Sequence, residues 1–194
     1  MSQRSEEWKE ARKGKMTASN AATIATNGKG LESYAYEILA EKYSNNSEES
    51  FTSFDMKRGI ELEEQARMTY ELEHEEVQQV GFVEMDEFAG CSPDGLVGED
   101  GGMEIKCPND VNFFRLMVNG ESEIDKKYIW QVQMSLLITG RKWWDLVFYN
   151  INFEKSLLVF RIYPDTIAQS KLKSGILVMK ELMRKIESHL LKSK

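Results

Sequence analysis

At 194 residues, 41% apolar and 29% charged, the chain has the size and make-up of one globular domain with a substantial core. No stretch approaches about eighteen uncharged apolar residues, and the N-terminus lacks an apolar signal core, so neither a transmembrane helix nor secretion is expected; two cysteines and two histidines are too few for a disulfide framework or a His-based zinc centre. A net charge of −7 argues against wrapping nucleic acid with the whole surface but leaves room for a local cationic lane, and the expected setting is a reducing cytoplasm.

Taken from the N-terminus, Glu6–Arg12 reads as a helix, followed by a second from Ser19 to about Thr26 and a third over Glu32–Lys42. The polar run 44–50 reads as an exposed loop. A longer helix is expected from Asp55, its capping residue, to about His74. Alternation over Val77–Met85 predicts a strand. Ser92-Pro93-Asp94-Gly95 signals a turn, with glycine at a position that tolerates positive φ. A strand is expected over Met103–Lys106, ended by Pro108, then helices over Phe113–Val118 and Lys127–Thr139. Trp143–Tyr149 and Leu157–Tyr163 read as strands, and Asp165 caps a final helix to about Leu191. Strands in the middle with helices on both sides predict an α/β domain with a mixed central β-sheet flanked by helices, with no linker long enough to divide it.

The most informative segment is Cys91-Ser92-Pro93-Asp94-Gly95 followed by Glu104-Ile105-Lys106. An aspartate at a turn, then a carboxylate and an amine alternating on a strand, suits a Mg²⁺-dependent cut in a phosphodiester. The acids and the main-chain carbonyl of Ile105 offer hard oxygen ligands, and Lys106 can hold or activate the attacking water. Taken alone, Pro-Asp-Gly is a common turn and Glu-Ile-Lys a common triplet. Strand geometry nevertheless puts Glu104 and Lys106 on one face, where two charges on a central strand are costly without partners.

On the helix over 59–67, Ile60, Glu63 and Arg67 share a stripe, so Glu63 turns toward the buried side while Glu61 and Glu64 face outward. Read alone, this is a solvated acidic helix; beside the Asp-Glu-Lys set, Glu63 becomes a further carboxylate for the metal centre. In Tyr128-Ile129-Trp130-Gln131-Val132-Gln133, one of the two glutamines faces such a site, since residues two apart on a helix diverge. In the segment from Trp8 to Ser19, Arg12 offers a fork that matches phosphate oxygens, and Ser19 opens a helix whose free N–H groups attract anions. A basic helix end followed by an N-cap accounts for that segment equally well.

Together, W-x3-R-x-G-x2-T-A-S, G-x3-E-x2-A-R, C-S-P-D-G, E-I-K-C-P and Q-V-Q resemble, in order, the motifs of the phage lambda exonuclease family, or YqaJ-like viral recombinases, within the PD-(D/E)XK nuclease superfamily. The resemblance spans about Trp8 to Asn150. It implies a restriction-endonuclease-like fold, with Asp94, Glu104 and the Ile105 carbonyl binding Mg²⁺, Glu63 supporting a second ion, and Mn²⁺ as a substitute. It implies Lys106 as the catalytic lysine and Arg12, Ser19 and Gln131, with Gln133 as second choice, as the 5′-phosphate pocket. Met56 matches the region that wedges the duplex apart. The implied activity is 5′→3′ digestion of one strand of double-stranded DNA to mononucleotides, leaving a 3′ tail. The implied assembly is a toroidal homotrimer, and the implied partner a single-strand annealing protein in the cytoplasm of a bacterial host. Two other readings stand beside this one. A restriction or junction-resolving endonuclease would use the same Asp-Glu-Lys core without an end-anchoring pocket. A degenerate DNA-binding or recombination-assembly protein would bind metal without hydrolysis. Cys91 and Cys107 are expected to act as small hydrophobes.

Overall fold

The fold is that of a computed structural model describing residues 3–45 and 54–192, with the side chains of 54–58 and 60 outside the description. The side chains of the expected cap Asp55 and wedge Met56 therefore lie outside the description.

A central five-stranded sheet has the order β2 (Val77–Gln78), β5 (Gly95–Val97), β6 (Gly101–Lys106), β7 (Trp143–Tyr149), β8 (Leu157–Ile162). Only β6 and β7 run parallel; the other neighbours are antiparallel. A parallel pair needs a long crossover, which α5 (Asp110–Asn119) and α6 (Lys126–Thr139) supply. Those helices cover one face through Phe113, Leu116, Val132 and Leu136 on Trp144, Leu146 and Phe148. The other face receives α4 (Phe54–Glu73) through Leu62, Ala66 and Tyr70 on Met103, Ile105 and Val147. Glu104 and Lys106 alternate with these core residues and so fall on the α5–α6 face, as period-two geometry requires.

A smaller sheet, ordered β1 (Met16–Thr17), β4 (Ala89–Cys91), β3 (Val83–Asp86), packs with α2 (Ala21–Thr26), α3 (Gly30–Tyr43) and α7 (Thr166–Lys192). Asp165 caps α7 by accepting the Ala168 N–H at 2.6 Å. Gly175 lets α7 close on α2, since a Cβ there would meet the Ile24 carbonyl oxygen at 2.0 Å.

Three expectations need correction. The strand over Val77–Met85 is two strands, β2 and β3, in different sheets. Its break includes Gly81, whose carbonyl takes the Trp8 indole N–H at 3.0 Å. Gly95 is strand rather than left-handed turn: positive φ falls on Gly14, Gly98, Gly120 and Gly140 among the glycines. What glycine supplies at 95 is room for the Val77 side chain, which a Cβ there would meet at 2.0 Å. Ser19 does not cap a helix. It lies in a 3-10 turn over Ala18–Asn20 ahead of α2, exposed, its hydroxyl 3.0 Å from Thr17 Oγ1.

Candidate active site

The chain bends at Asp94 as it passes from β4 in the small sheet to β5 in the large one. Pairing between β5 and β6 stops at Gly95 and Met103, so the last residues of β6 have a free edge beside Asp94. Asp94 Oδ2 uses it, accepting the Ile105 N–H at 2.7 Å. The N–H and C=O of one extended residue point to the same edge, so the Ile105 carbonyl lies on the Asp94 side as well. Glu104, 4% exposed, accepts from Lys106 Nζ at 2.8 Å and Gln131 Nε2 at 2.5 Å on the same oxygen. The Lys106 ammonium also sits 4.9 Å from the centre of the Tyr128 ring, a contact that stiffens it.

Charge crowding shows in the titration of this cluster. Burial, then the Glu104 and Glu63 carboxylates, push the Asp94 pKa well above the usual carboxylate range, against the pull of Lys106 and the Ile105 N–H. Burial alone would lower the Lys106 pKa, but Glu104 and Asp94 outweigh it and hold the amine above its ordinary value. Its two carboxylate neighbours thus favour the charged form of Lys106.

Glu63 approaches from α4, with Arg4 on Oε2 at 2.5 Å and Arg67 at 3.6 Å from Oε1. Glu61 and Glu64 face solvent. The two glutamines separate cleanly. Gln131 points to Glu104, whereas buried Gln133 donates to the Tyr163 carbonyl and accepts from the Asp165 N–H, fastening α6 to the start of α7. Gln133 is therefore away from the cluster.

Arg12, at the end of α1 (Glu6–Arg12), stacks over Trp8 at 4.3 Å and donates to Ser92 Oγ at 2.8 Å. Trp8 Nε1 reaches the same hydroxyl at 3.0 Å. Burial depresses the Arg12 pKa, with Glu41, Tyr34 and Glu104 among the groups offsetting it. Arg12, Lys15, Thr17, Ser19 and Asn20 line a cleft of about 280 Å³, closed on the α3 side by Tyr34, Glu37 and Glu41. Ser92 joins this cleft to the cluster, standing two residues before Asp94. Ser92, Arg4 and the α3 wall escape a reading of the sequence alone. For Ser92 the signal is its place inside the C-S-P-D-G run; nothing in the periodicity marks Arg4, whose contact spans 59 positions.

Among the described residues no three Asp, Glu, His or Cys side chains form a ready-made metal cage. The donor set still fits a hard divalent ion: carboxylates at Asp94, Glu104 and Glu63 and a carbonyl at Ile105, all oxygen, in a region whose like charges a cation would relieve. Cys91, next to the site, is buried with its thiol pushed up to about 12 by burial and is inert as a ligand.

The model of the YqaJ-like viral recombinase domain matches residues 7–142. An alkaline exonuclease (LHK-Exo) from Laribacter hongkongensis shares 33% identity and superposes with a TM-score of 0.87, over 97% of this chain and 98% of that one. The structure of LHK-Exo in complex with dAMP matches equally, at 33% identity and a TM-score of 0.87 over the same shares of 97% and 98%. A phage related exonuclease from Haemophilus somnus 129PT shares the fold, with a TM-score of 0.68 at 16% identity over 91% of this chain and 96% of that one. No curated protein matches.

Proposed function

The chain belongs to the YqaJ-like viral recombinase domain family, and from that premise we propose that it is a Mg²⁺-dependent 5′→3′ exonuclease acting on one strand of double-stranded DNA from a 5′-phosphorylated end. The observation that carries this reading is the link through Ser92. It joins a carboxylate cluster of phosphodiesterase type to a cleft where Arg12 and Lys15 stand opposite Glu37 and Glu41 and where the Arg12 fork can hold a terminal phosphate. The endonuclease reading needs no pocket that anchors an end. That a relative 33% identical exists in complex with dAMP supports recognition of a nucleoside monophosphate here.

In this reading Arg12 binds the terminal phosphate with Lys15 and Ser19, which sets the register so that each cut falls one nucleotide inward. Asp94, Glu104, Glu63 and the Ile105 carbonyl would hold two Mg²⁺ ions, or Mn²⁺ in their place, which would supply polarisation of the scissile phosphate and offset charge on the leaving oxygen. Lys106, kept charged by Glu104 and Asp94, orients the attacking water and a phosphate oxygen. Gln131 fixes the Glu104 carboxylate by donating to the same oxygen that Lys106 holds. The product is a mononucleotide and a 3′ single-stranded tail, suited to a single-strand annealing partner. The assembly is a toroidal homotrimer, working in the cytoplasm of a bacterial host.

The test is Lys106→Ala assayed for both cleavage and duplex binding. Cleavage is expected to fall by about 10³-fold or more, as for loss of a principal electrostatic group, with binding kept within a few-fold. Cleavage at the wild-type rate would remove Lys106 from the chemistry.

A further inference from the structure

Glu63 faces two arginines, and they are held differently. Arg67 stands one turn further along α4 with its side chain 12% exposed, and its Nε is buried with no hydrogen-bond partner among the described residues. Arg4 belongs to the short segment ahead of α1, its side chain 46% exposed, and takes Glu63 Oε2 at 2.5 Å. That segment is folded back over the site. The Arg4 backbone has φ of +68°, the left-handed region that non-glycine residues seldom adopt. Gln3 Nε2 donates to the carbonyl of Pro93, the residue before Asp94, at 2.7 Å.

A carboxylate that already faces two guanidinium groups is a partly neutralised ligand for a divalent ion. An ion that takes Glu63 Oε2 competes with the Arg4 guanidinium for that oxygen, and this half-exposed ion pair is the one that solvent weakens. We infer that Arg4 is a resident cation of this site that exchanges with a divalent ion for Glu63. With no ion present it neutralises the carboxylate and pins the N-terminal segment across the cluster. With an ion on Glu63, the guanidinium is released at the mouth of the site, where its fork suits a phosphate of the DNA strand. Strained backbone held by a functional contact is the pattern expected of such a poised group. The inference rests on the metal-dependent reading above.

The experiment is calorimetric titration of the full chain with Mg²⁺ alone, without DNA, for wild type, Arg4→Gln, Arg4→Lys and Glu63→Gln. Arg4→Gln should tighten the weaker ion affinity by about tenfold, a usual size for coupling between two ligands of one group. Arg4→Lys, which keeps the charge, should stay near wild type. Adding Arg4→Gln to Glu63→Gln should change nothing, because the contested carboxylate is gone. Equal or weaker binding by Arg4→Gln, with wild type binding normally, would overturn the exchange while leaving the metal site intact. If neither wild type nor Arg4→Gln binds Mg²⁺, the exchange and the metal-dependent reading fall together.

Discussion

Asp94 carries the heaviest electrostatic load of any residue in the site. Its carboxyl is protonated more readily in the folded chain than in the unfolded one, because burial and two neighbouring carboxylates disfavour its charge. The folded state therefore binds more protons between the ordinary carboxylate pKa and the raised one, and this group's contribution to stability falls as pH rises through that window. Asp94→Asn removes the charge and keeps an acceptor for the Ile105 N–H. In the absence of divalent ions the variant should melt higher than wild type at neutral pH, by about 2–4 °C for each kcal/mol relieved, while losing cleavage. The gain should vanish near pH 4, and a lower melting temperature at pH 7 would contradict this electrostatic account. Arg12 answers to a different test. Arg12→Ala should reduce the preference for 5′-phosphorylated over 5′-hydroxyl ends by about tenfold or more, the loss expected for a charge-assisted hydrogen bond, and an unchanged preference would move the phosphate pocket elsewhere. At this scale the sequence is legible where chemistry is local. Asp94, Glu104 and Lys106 meet because a bend and one strand bring them together, and Gln131 meets them at a distance the helix period can only narrow to two choices. Gln133 is separable only once α7 is in place, since its partners are the Tyr163 carbonyl and the Asp165 N–H. The Arg4 contact with Glu63 depends on how the N-terminal segment folds back, which no local pattern encodes.

At the scale of elements, the position of α4 decides whether Glu63 can join the cluster. Two turns beyond Glu63, Tyr70 donates its hydroxyl to buried Asp145 on β7 at 2.7 Å, and Arg161 on β8 grips the same carboxylate at 2.8 and 2.9 Å while stacking over Trp143. This network fastens the helix to the sheet in one register. Tyr70→Phe should cost about 1–2 kcal/mol in urea unfolding. Arg161→Ala should cost more, about 3 kcal/mol, because it leaves Asp145 buried without its cation. Equal, negligible losses would mean that α4 is held by apolar packing alone. The long helices are readable because caps and periodicity agree, as at Asp165 for α7. The strands are less so. Alternation over Val77–Met85 covers the right residues for β2 and β3 but not the break between them, which answers to Trp8, far away in sequence. The short strands β4 and β5 lie hidden beside the turn signal, since three residues are too few for a period.

For the whole molecule, the formal charge of −7 has to be squared with the proposed DNA substrate. Acids concentrated in the proposed metal site would account for part of it, and the proposed ring threaded by duplex would hold the substrate by topology where bulk attraction does not. No helix among the described residues is long and apolar enough to cross a membrane. The fold class is open to reading from the alternation of helices and strands, yet the division into two sheets is not, because strand partners are chosen by tertiary packing. The central claim is an end-anchored exonuclease, and its most direct measurement is digestion with Mg²⁺ of linear duplex bearing a 5′-phosphate, linear duplex bearing a 5′-hydroxyl, and a covalently closed circle. Rapid loss of one strand from the phosphorylated end, slower loss from the hydroxyl end and an intact circle are expected. Cutting of the circle would contradict it, leaving the Asp94–Glu104–Lys106 chemistry in the service of an endonuclease.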